Sequence, residues 1–415
     1  MAETDVCIIG GGVIGLCSAY YLNKAGYSVT VIDKENLDRG ASHVNAGYVT
    51  PSHIIPLASP GMPVKGLKYM FNPDSPFYLK PRLESELIRW SWLFYRNATA
   101  KHVEQCAPVL LQFNEKSKAL YEEMSEKEAL SFGYTRTGLL KLCQTKLKLE
   151  SDKRDAEFSR FKGLDVRELS RQEVHDMEPI LSPQILGAIY YADDALLIPQ
   201  DFMFQLRKLL EQKGVTILTG RNTTEFFFQN NSAVALNTKQ EEISFNNLVI
   251  AAGAWSSSLV KFFGLKMPMQ AGKGYCFEIE NPGIRYPAIL SEANAAVSPM
   301  GKKLRFAGTM ELAGLNESIA MRRVKAIKSA AERYYPGIRI PDEALDSARS
   351  GLRPVSPDGM PYIGKLDDFT NVFVATGHAM MGMSLGPATG LLISEIIQQK
   401  EPFLPIDLFR PNRFG

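Results

Sequence analysis

Apolar positions along this 415-residue chain recur with different periods, and the period predicts the element. "DVCIIG", Asp5 to Gly10, is an almost unbroken apolar run, the pattern of a strand covered on both faces in a parallel sheet. "LCSAYYLNKAG" then has helical spacing and stops at Gly26, where a glycine ends a helix well. "SVTVID" returns as a second strand and finishes on Asp33. Farther on, "SELIRWSWLFYRNATAKHVEQC" and "PVLLQFNEKSKALYEEMSEKE" predict helices, followed by a strand in "TGLLKLCQT". "PQDFMFQLRKLLEQKGVTIL" reads as helix and then strand, broken at Gly214. "TEFFFQNNSAVALNTKQEEI" predicts a meander turning at Asn230-Asn231 and Lys239-Gln240. "GYCFEIE" and "LRFAGTM" are strands, and Arg322 to Tyr334 is an amphipathic helix. "NVFVATG" is a buried strand that leads through a glycine turn into a long apolar helix reaching Ile397.

These elements predict an α/β chain, and its length favours two domains over one core. The order of elements has the chain shuttling twice between them. Residues 1–50, 185–262 and 345–415 would form a Rossmann-type dinucleotide-binding domain. Residues 51–184 and 263–344 would form an α+β substrate domain on a mixed or antiparallel sheet.

Composition narrows the function by exclusion. A net charge of +2 gives no reason to expect a nucleic-acid partner. The cysteines (Cys7, Cys17, Cys106, Cys143, Cys276) show no CxxC spacing, so no metal site is expected and a reducing compartment is favoured. The start, "MAETD", is acidic, and the apolar run behind it is too short and glycine-rich to span a bilayer. The expected location is the cytoplasm. "IRWSWLFYRNATAKH" and "IIPLASPGMPVKGLKYMF" leave two readings open: a peripheral patch on the inner face of the cytoplasmic membrane, or a core helix and a substrate lid.

Candidate chemistry begins at Gly10-Gly11-Gly12-Val13-Ile14-Gly15, which fits G-x-G-x-x-G between a strand and a helix. Gly10 permits the tight turn, Gly12 lets backbone approach a pyrophosphate, and Gly15 lets helix pack closely on strand. The helix N-terminus adds unpaired N–H groups and positive dipole. Asp33 suits an adenosine ribose and disfavours a 2′-phosphate. The small-residue loop after Asp33, from Gly40 through Gly47, differs from the prompt helix of an NAD domain and points to FAD.

"NAGYVTPSHIIPLASPGMPVKGLKYMF", "GKGYCFEIE", "RFAGTMELAG", "GLRPVSPDGMPYIG" and "TGHAMMGMSL" resemble the D-amino-acid oxidase and dehydrogenase superfamily over nearly the whole chain. Within it they look most like the bacterial D-amino-acid dehydrogenase branch. The resemblance implies a glutathione-reductase-like cofactor domain and FAD. The FAD would be non-covalent, because no cysteine follows Cys276 where covalent relatives attach it. It further implies cofactor contacts from Val13, Ile14, Lys34, Ser42, Asn45, Ala46 and Gly47. Val215 would lie near the adenine, with Ala252, Gly253 and Trp255 beyond it. Gly377, Gly382, Met383 and Ser384 would bring the last helix to the flavin ring.

The stretch "GLRP" holds Arg353 on a stiff loop, and arginine grips a carboxylate through paired hydrogen bonds. By resemblance Arg353 is the substrate-carboxylate arginine, and Tyr275 in "KGY" is the tyrosine that completes the clamp. A structural ion pair is the alternative for Arg353, and core packing for Tyr275. His43 is a candidate for tuning the ring or taking the amine proton, and Tyr48 for covering the substrate. His53 lies on the same loop, and His378 follows the glycine of the last turn. The implied reaction is oxidative deamination of a D-amino acid to a 2-oxo acid and ammonia, with electrons passed to a quinone or another external acceptor. A secondary-amine or 2-hydroxy-acid dehydrogenase, or a flavin subunit of a larger assembly, would use the same parts.

Overall fold

The computed structural model describes residues 2–70, 75 and 77–415. Two large sheets organise it. The first has eight strands, in the order 223–229, 232–238, 242–250, 2–9, 29–32, 216–218, with 372–376 beside 242–250 and 362–365 at its edge. Its centre is parallel: Ala2–Ile9 lies between Glu242–Ile250 and Val29–Ile32, and Val6, Ile8, Val31, Leu248 and Ile250 are wholly buried. This explains the unbroken apolar runs, since a hydrophobic cluster covers each face.

The first helix, Val13–Lys24, packs along the last, Gly382–Ile397, and both are buried along most of their length. Glycine sets the approach: a Cβ at Gly390 would stand 2.4 Å from the backbone carbon of Cys17. The long helix Ala100–Lys127 covers this pair, and Cys106, Leu110, Phe113 and Tyr121 enter the same core. It therefore joins the cofactor side, although the sequence placed it with residues 51–184. The apolar stretch Ala379–Ile397 is long enough to cross a membrane, but it is the centre of this core.

The second sheet has nine mixed strands, in the order 349–355, 270–280, 303–312, 295–300, 288–290, 139–143, 187–191, 166–170, with Phe77–Leu79 on Lys303–Leu312. Two of its strands correct the expected borders. Gly187–Tyr191 pairs with Leu139–Cys143 and Val166–Ser170, and Arg349–Val355 pairs with Gln270–Glu280. Both had been assigned to the dinucleotide-binding domain. The helix Met321–Tyr334 covers this sheet's outer face.

The helix Ser85–Asn97 divides the aromatic run of the sequence between two faces. Trp90 is buried and stacks on Phe94 at 5.1 Å, whereas Trp92 and Tyr95 stay exposed and stack on each other at 6.1 Å.

Arg305, wholly buried on Lys303–Leu312, ties the two halves together. It pairs with Glu278 and donates to the backbone carbonyls of His43 and Asn45, on the small-residue loop of the cofactor side.

Candidate functional site

Between the sheets lies a cavity of about 1260 Å³. That exceeds the roughly 300–1,000 Å³ of an ordinary small-ligand pocket and gives room for a large cofactor beside a small substrate.

At one end the turn after Ala2–Ile9 forms its wall. Gly10 has φ +109°, and a Cβ there would meet the Ala251 carbonyl at 2.4 Å. A Cβ at Gly15 would lie 1.8 Å from the Gly10 carbonyl, so this residue sets helix-on-strand packing and does not itself line the cavity. Gly10, Gly12, Val13 and Ile14 do line it. No acidic residue occupies the first turn of the helix, and the Val13 N–H is met by the Ser42 hydroxyl at 3.0 Å. Asp33 accepts from the Gly11 N–H at 2.7 Å and the Glu35 N–H at 2.8 Å, at the end of the second strand. Beyond it the Lys34 ammonium stands 3.7 Å from the centre of the Trp255 ring.

A bare glycine turn, a helix N-terminus without acids and a carboxylate at the end of the second strand fit a dinucleotide diphosphate and its adenosine. Ala252, Gly253, Asn45, Ala46, Gly382, Met383 and Ser384 also line the cavity. Gly47 and Gly377 act one step behind the wall. Gly47 has φ +79° with its Cα against the Leu197 carbonyl, and Gly377 has φ +82° against Tyr362.

Val215 is elsewhere. It is buried in the core before Thr216–Leu218, and this arm reaches the cavity through Arg221, Asn222 and Thr223 instead. The strand after Val215 carries the chain past the sheet before it can touch the cavity.

Arg353 also faces the cavity, from the strand Arg349–Val355. Its guanidinium lies across Gly274, where a Cβ would be 2.2 Å from Nη2, so only glycine admits it. It donates to the Thr309 carbonyl at 2.7 Å. Thr309 has φ +71°, costly for a β-branched residue, and sits where the Gln270–Glu280 and Lys303–Leu312 register slips. Among the described residues Arg353 has no carboxylate partner, which sets aside the structural ion pair. Burial without an acid pushes its guanidinium down to about 10.

Tyr275 does not join it. Successive strand residues point to opposite faces, so Gly274 under the guanidinium turns Tyr275 away from the cavity. Its hydroxyl donates to Glu311 at 2.7 Å, in a buried cluster with Arg323, whose Nε is 3.2 Å from the same carboxylate oxygen. Tyr275→Phe is expected to leave the substrate KM within about twofold and to lower stability by about 1.5–3 kcal/mol, the range for a bond to a charged group. Steady-state kinetics and a thermal melt check this; a tenfold rise in KM would return Tyr275 to the clamp.

Tyr48 lines the cavity with its ring, while its hydroxyl is shared between the Ala288 and Val297 carbonyls at 2.8 and 2.9 Å. His43 is buried at the cavity edge, its Nε2 without a partner, and burial and the charge of Arg349 hold it below its ordinary value. Burial takes His53 down to about 4 and His378 to about 3, so all three imidazoles are neutral at pH 7.

Asp194 carries no signal in the sequence. Buried behind the loop, it accepts from the Ser52 N–H at 3.0 Å and hydroxyl at 2.6 Å, and Ser52 Oγ is 3.3 Å from His53 Nδ1. Burial raises its carboxyl to about 7. Between about pH 4 and 7 the folded state therefore holds a proton that the unfolded state has lost, so stability falls as pH rises through that window. Asp194→Asn is expected to raise the melting temperature at pH 8 relative to the unmodified protein, and to make no difference near pH 4. Parallel melting curves across that range would refute the raised carboxyl.

Comparisons with known proteins bear on the family and the fold. A family model described as FAD dependent oxidoreductase matches residues 5–396. A D-amino acid dehydrogenase of Vibrio vulnificus is 29% identical over 413 residues, covering 97% of this chain and 98% of that protein. Among solved structures, glycine oxidase from Geobacillus kaustophilus superimposes with a TM-score of 0.79 at 23% identity, covering 100% of both chains. L-Proline dehydrogenase from P. horikoshii gives 0.77 at 18% identity over 100% of this chain and 98% of that one.

Proposed function

The chain belongs to the FAD dependent oxidoreductase family, and from that premise we propose that it oxidises D-amino acids to 2-oxo acids and ammonia, passing the electrons to an external acceptor such as a quinone. The observation that carries this reading is the Arg353 guanidinium. Among the described residues it lies without a counter-ion, over Gly274, in the cavity that also holds the glycine turn. An α-carboxylate supplies the missing partner through paired hydrogen bonds. The full-length similarity to a D-amino acid dehydrogenase supports the substrate class and its handedness. We take the cofactor to lie as in the glutathione-reductase-like flavoenzymes, held without a covalent bond.

When bound, FAD supplies the two-electron acceptor for the substrate Cα–H, and the protein supplies position and field. Gly10, Gly12, Asp33 and Ser42 would hold its diphosphate and ribose. The N-terminus of Gly382–Ile397 would aim positive dipole at charge accumulating on the ring. Arg353 fixes the carboxylate and with it the direction of Cα. Thr309, in its left-handed conformation, holds the guanidinium in place from behind. The neutral imidazoles of His43 and His53 can accept a hydrogen bond from the substrate ammonium, yet hold a proton weakly, so the proton passes on to water. The imine product hydrolyses after release. The exposed Ile88, Trp92 and Tyr95 face supports a peripheral membrane contact for the acceptor step.

Anaerobic mixing of the purified holoprotein with D-amino acids, L-amino acids, prolines and 2-hydroxy acids tests the proposal. Bleaching of the flavin by D-amino acids is the expected result. Bleaching by L-prolines or 2-hydroxy acids alone would keep the carboxylate clamp and discard the substrate class.

A further inference from the structure

The cavity does not end at Arg353. Its far wall is built from Lys141 on Leu139–Cys143 and from one face of the helix Lys146–Phe161, where Leu147, Lys148, Ser151 and Arg154 recur at helical spacing. The Lys141 and Lys148 ammonium groups converge on a single atom: each lies 2.9 Å from Asp152 Oδ1. The Asp152 side chain is fully buried, and its other oxygen accepts from the Ser291 hydroxyl at 2.7 Å. Lys141 also meets Asp155 Oδ2 at 3.5 Å, so two carboxylates face the two lysines, and the cations left with open donors on this wall are Lys148 and Arg154. An ammonium has three N–H donors, and Lys148 spends one on Asp152. Arg154 makes no hydrogen bond or ion pair among the described residues. Glu292, the acid on the same wall, is turned to the Gln144 and Thr145 N–H groups at 3.0 and 2.9 Å.

Lys148 and Arg154 present spare donors to the cavity, and a substrate whose only anionic group is already on Arg353 would leave them unmet. We propose that this end of the cavity is a second anion site, and that the preferred substrates are amino acids whose side chain ends in a carboxylate. The identification as a substrate site rests on the amino-acid reading above. The anion site itself rests on the spare donors of Lys148 and on Arg154.

The first measurement is the shift in the flavin absorption spectrum of the holoprotein, titrated with two unreactive ligands, glutarate and butyrate. Glutarate is expected to bind roughly tenfold or more tightly than butyrate, the scale of a further charge-assisted contact. Lys148→Met should lower that ratio about fivefold or more. So should Arg154→Gln, which disturbs no packed partner, so loss of fold cannot obscure the result. Equal affinities, or a ratio unmoved by either substitution, overturn the proposal.

Turnover of D-glutamate against D-glutamine in the same preparations separates the two claims. Neutral D-amino acids reducing the flavin, with no preference for the acid, would remove the second site and leave the reaction standing. A glutarate preference with no amino acid reducing the flavin would keep the anion site and remove the reaction.

Discussion

Replacing Arg353 by methionine is expected to lower kcat/KM for the amino-acid substrate by roughly 10²–10³-fold while the protein keeps its flavin. The size follows from truncating one member of a buried charge pair, about 2–5 kcal/mol, at about 1.4 kcal/mol per tenfold. Arg353→Lys should fall between, because it keeps the charge and loses the planar fork. The stability readout has the opposite sense. Arg353 is desolvated with no carboxylate against it, and the lowering to about 10 records that cost. Its removal strands no acid, so the melting temperature should hold or rise. A guanidinium that tied the two halves together would show the reverse, a fall in melting temperature with little change in KM. Measuring kcat/KM, flavin content and melting temperature on the same samples decides between them.

Gly15→Ala is expected to yield protein without FAD and with a melting temperature lower by several degrees. The added methyl would occupy a point 1.8 Å from the Gly10 carbonyl, which is main chain and has no rotamer to give. Relief requires the helix Val13–Lys24 to lift from the strand, and that moves the Val13 N–H away from Ser42 and opens the turn around the diphosphate site. Overpacking costs about 1–3 kcal/mol and occasionally more. The loss of bound cofactor would add to it. Gly26→Asn is the control: its φ is +93° but nothing lies within 4 Å of its Cβ, so the cost should be about 1 kcal/mol or less with FAD retained. The ratio of flavin to protein absorbance reads the difference. A flavin-replete Gly15→Ala protein would show that the helix can move without cost to the site.

What the sequence made legible was local. Gly10 to Ile14, Asp33 and the run into the last helix lie in short stretches whose spacing carries its own geometry, and the structure brings them to one cavity. Arg353 was readable because proline and glycine around it mark a placed side chain. The misreadings are of a different kind. An apolar strand does not say which sheet it joins, so Gly187–Tyr191 and Arg349–Val355 were given to the wrong half. Val215 stands in for Arg221 to Thr223 because the length of a strand and turn had to be guessed. Tyr275 attracted attention as the residue with chemistry, when Gly274 beside it was the one that admits the guanidinium. In "GKGYCF" that second glycine, inside a strand where glycine weakens the ladder, was the available signal. Asp194 and the lysine pair on Asp152 gave none, because both arise from contacts between distant segments.

Arg305 has a consequence for how ligands come and go. Buried between Glu278 and the carbonyls of His43 and Asn45, it fastens the substrate sheet to the loop that would lie along the cofactor. Opening a gap between these two segments would break those contacts. Leu57, and Met62 at the start of a helix, line the cavity on segments outside this fastening. Entry and exit would follow the nanosecond-to-microsecond clock of loops, ahead of the microsecond-to-millisecond swing of whole domains.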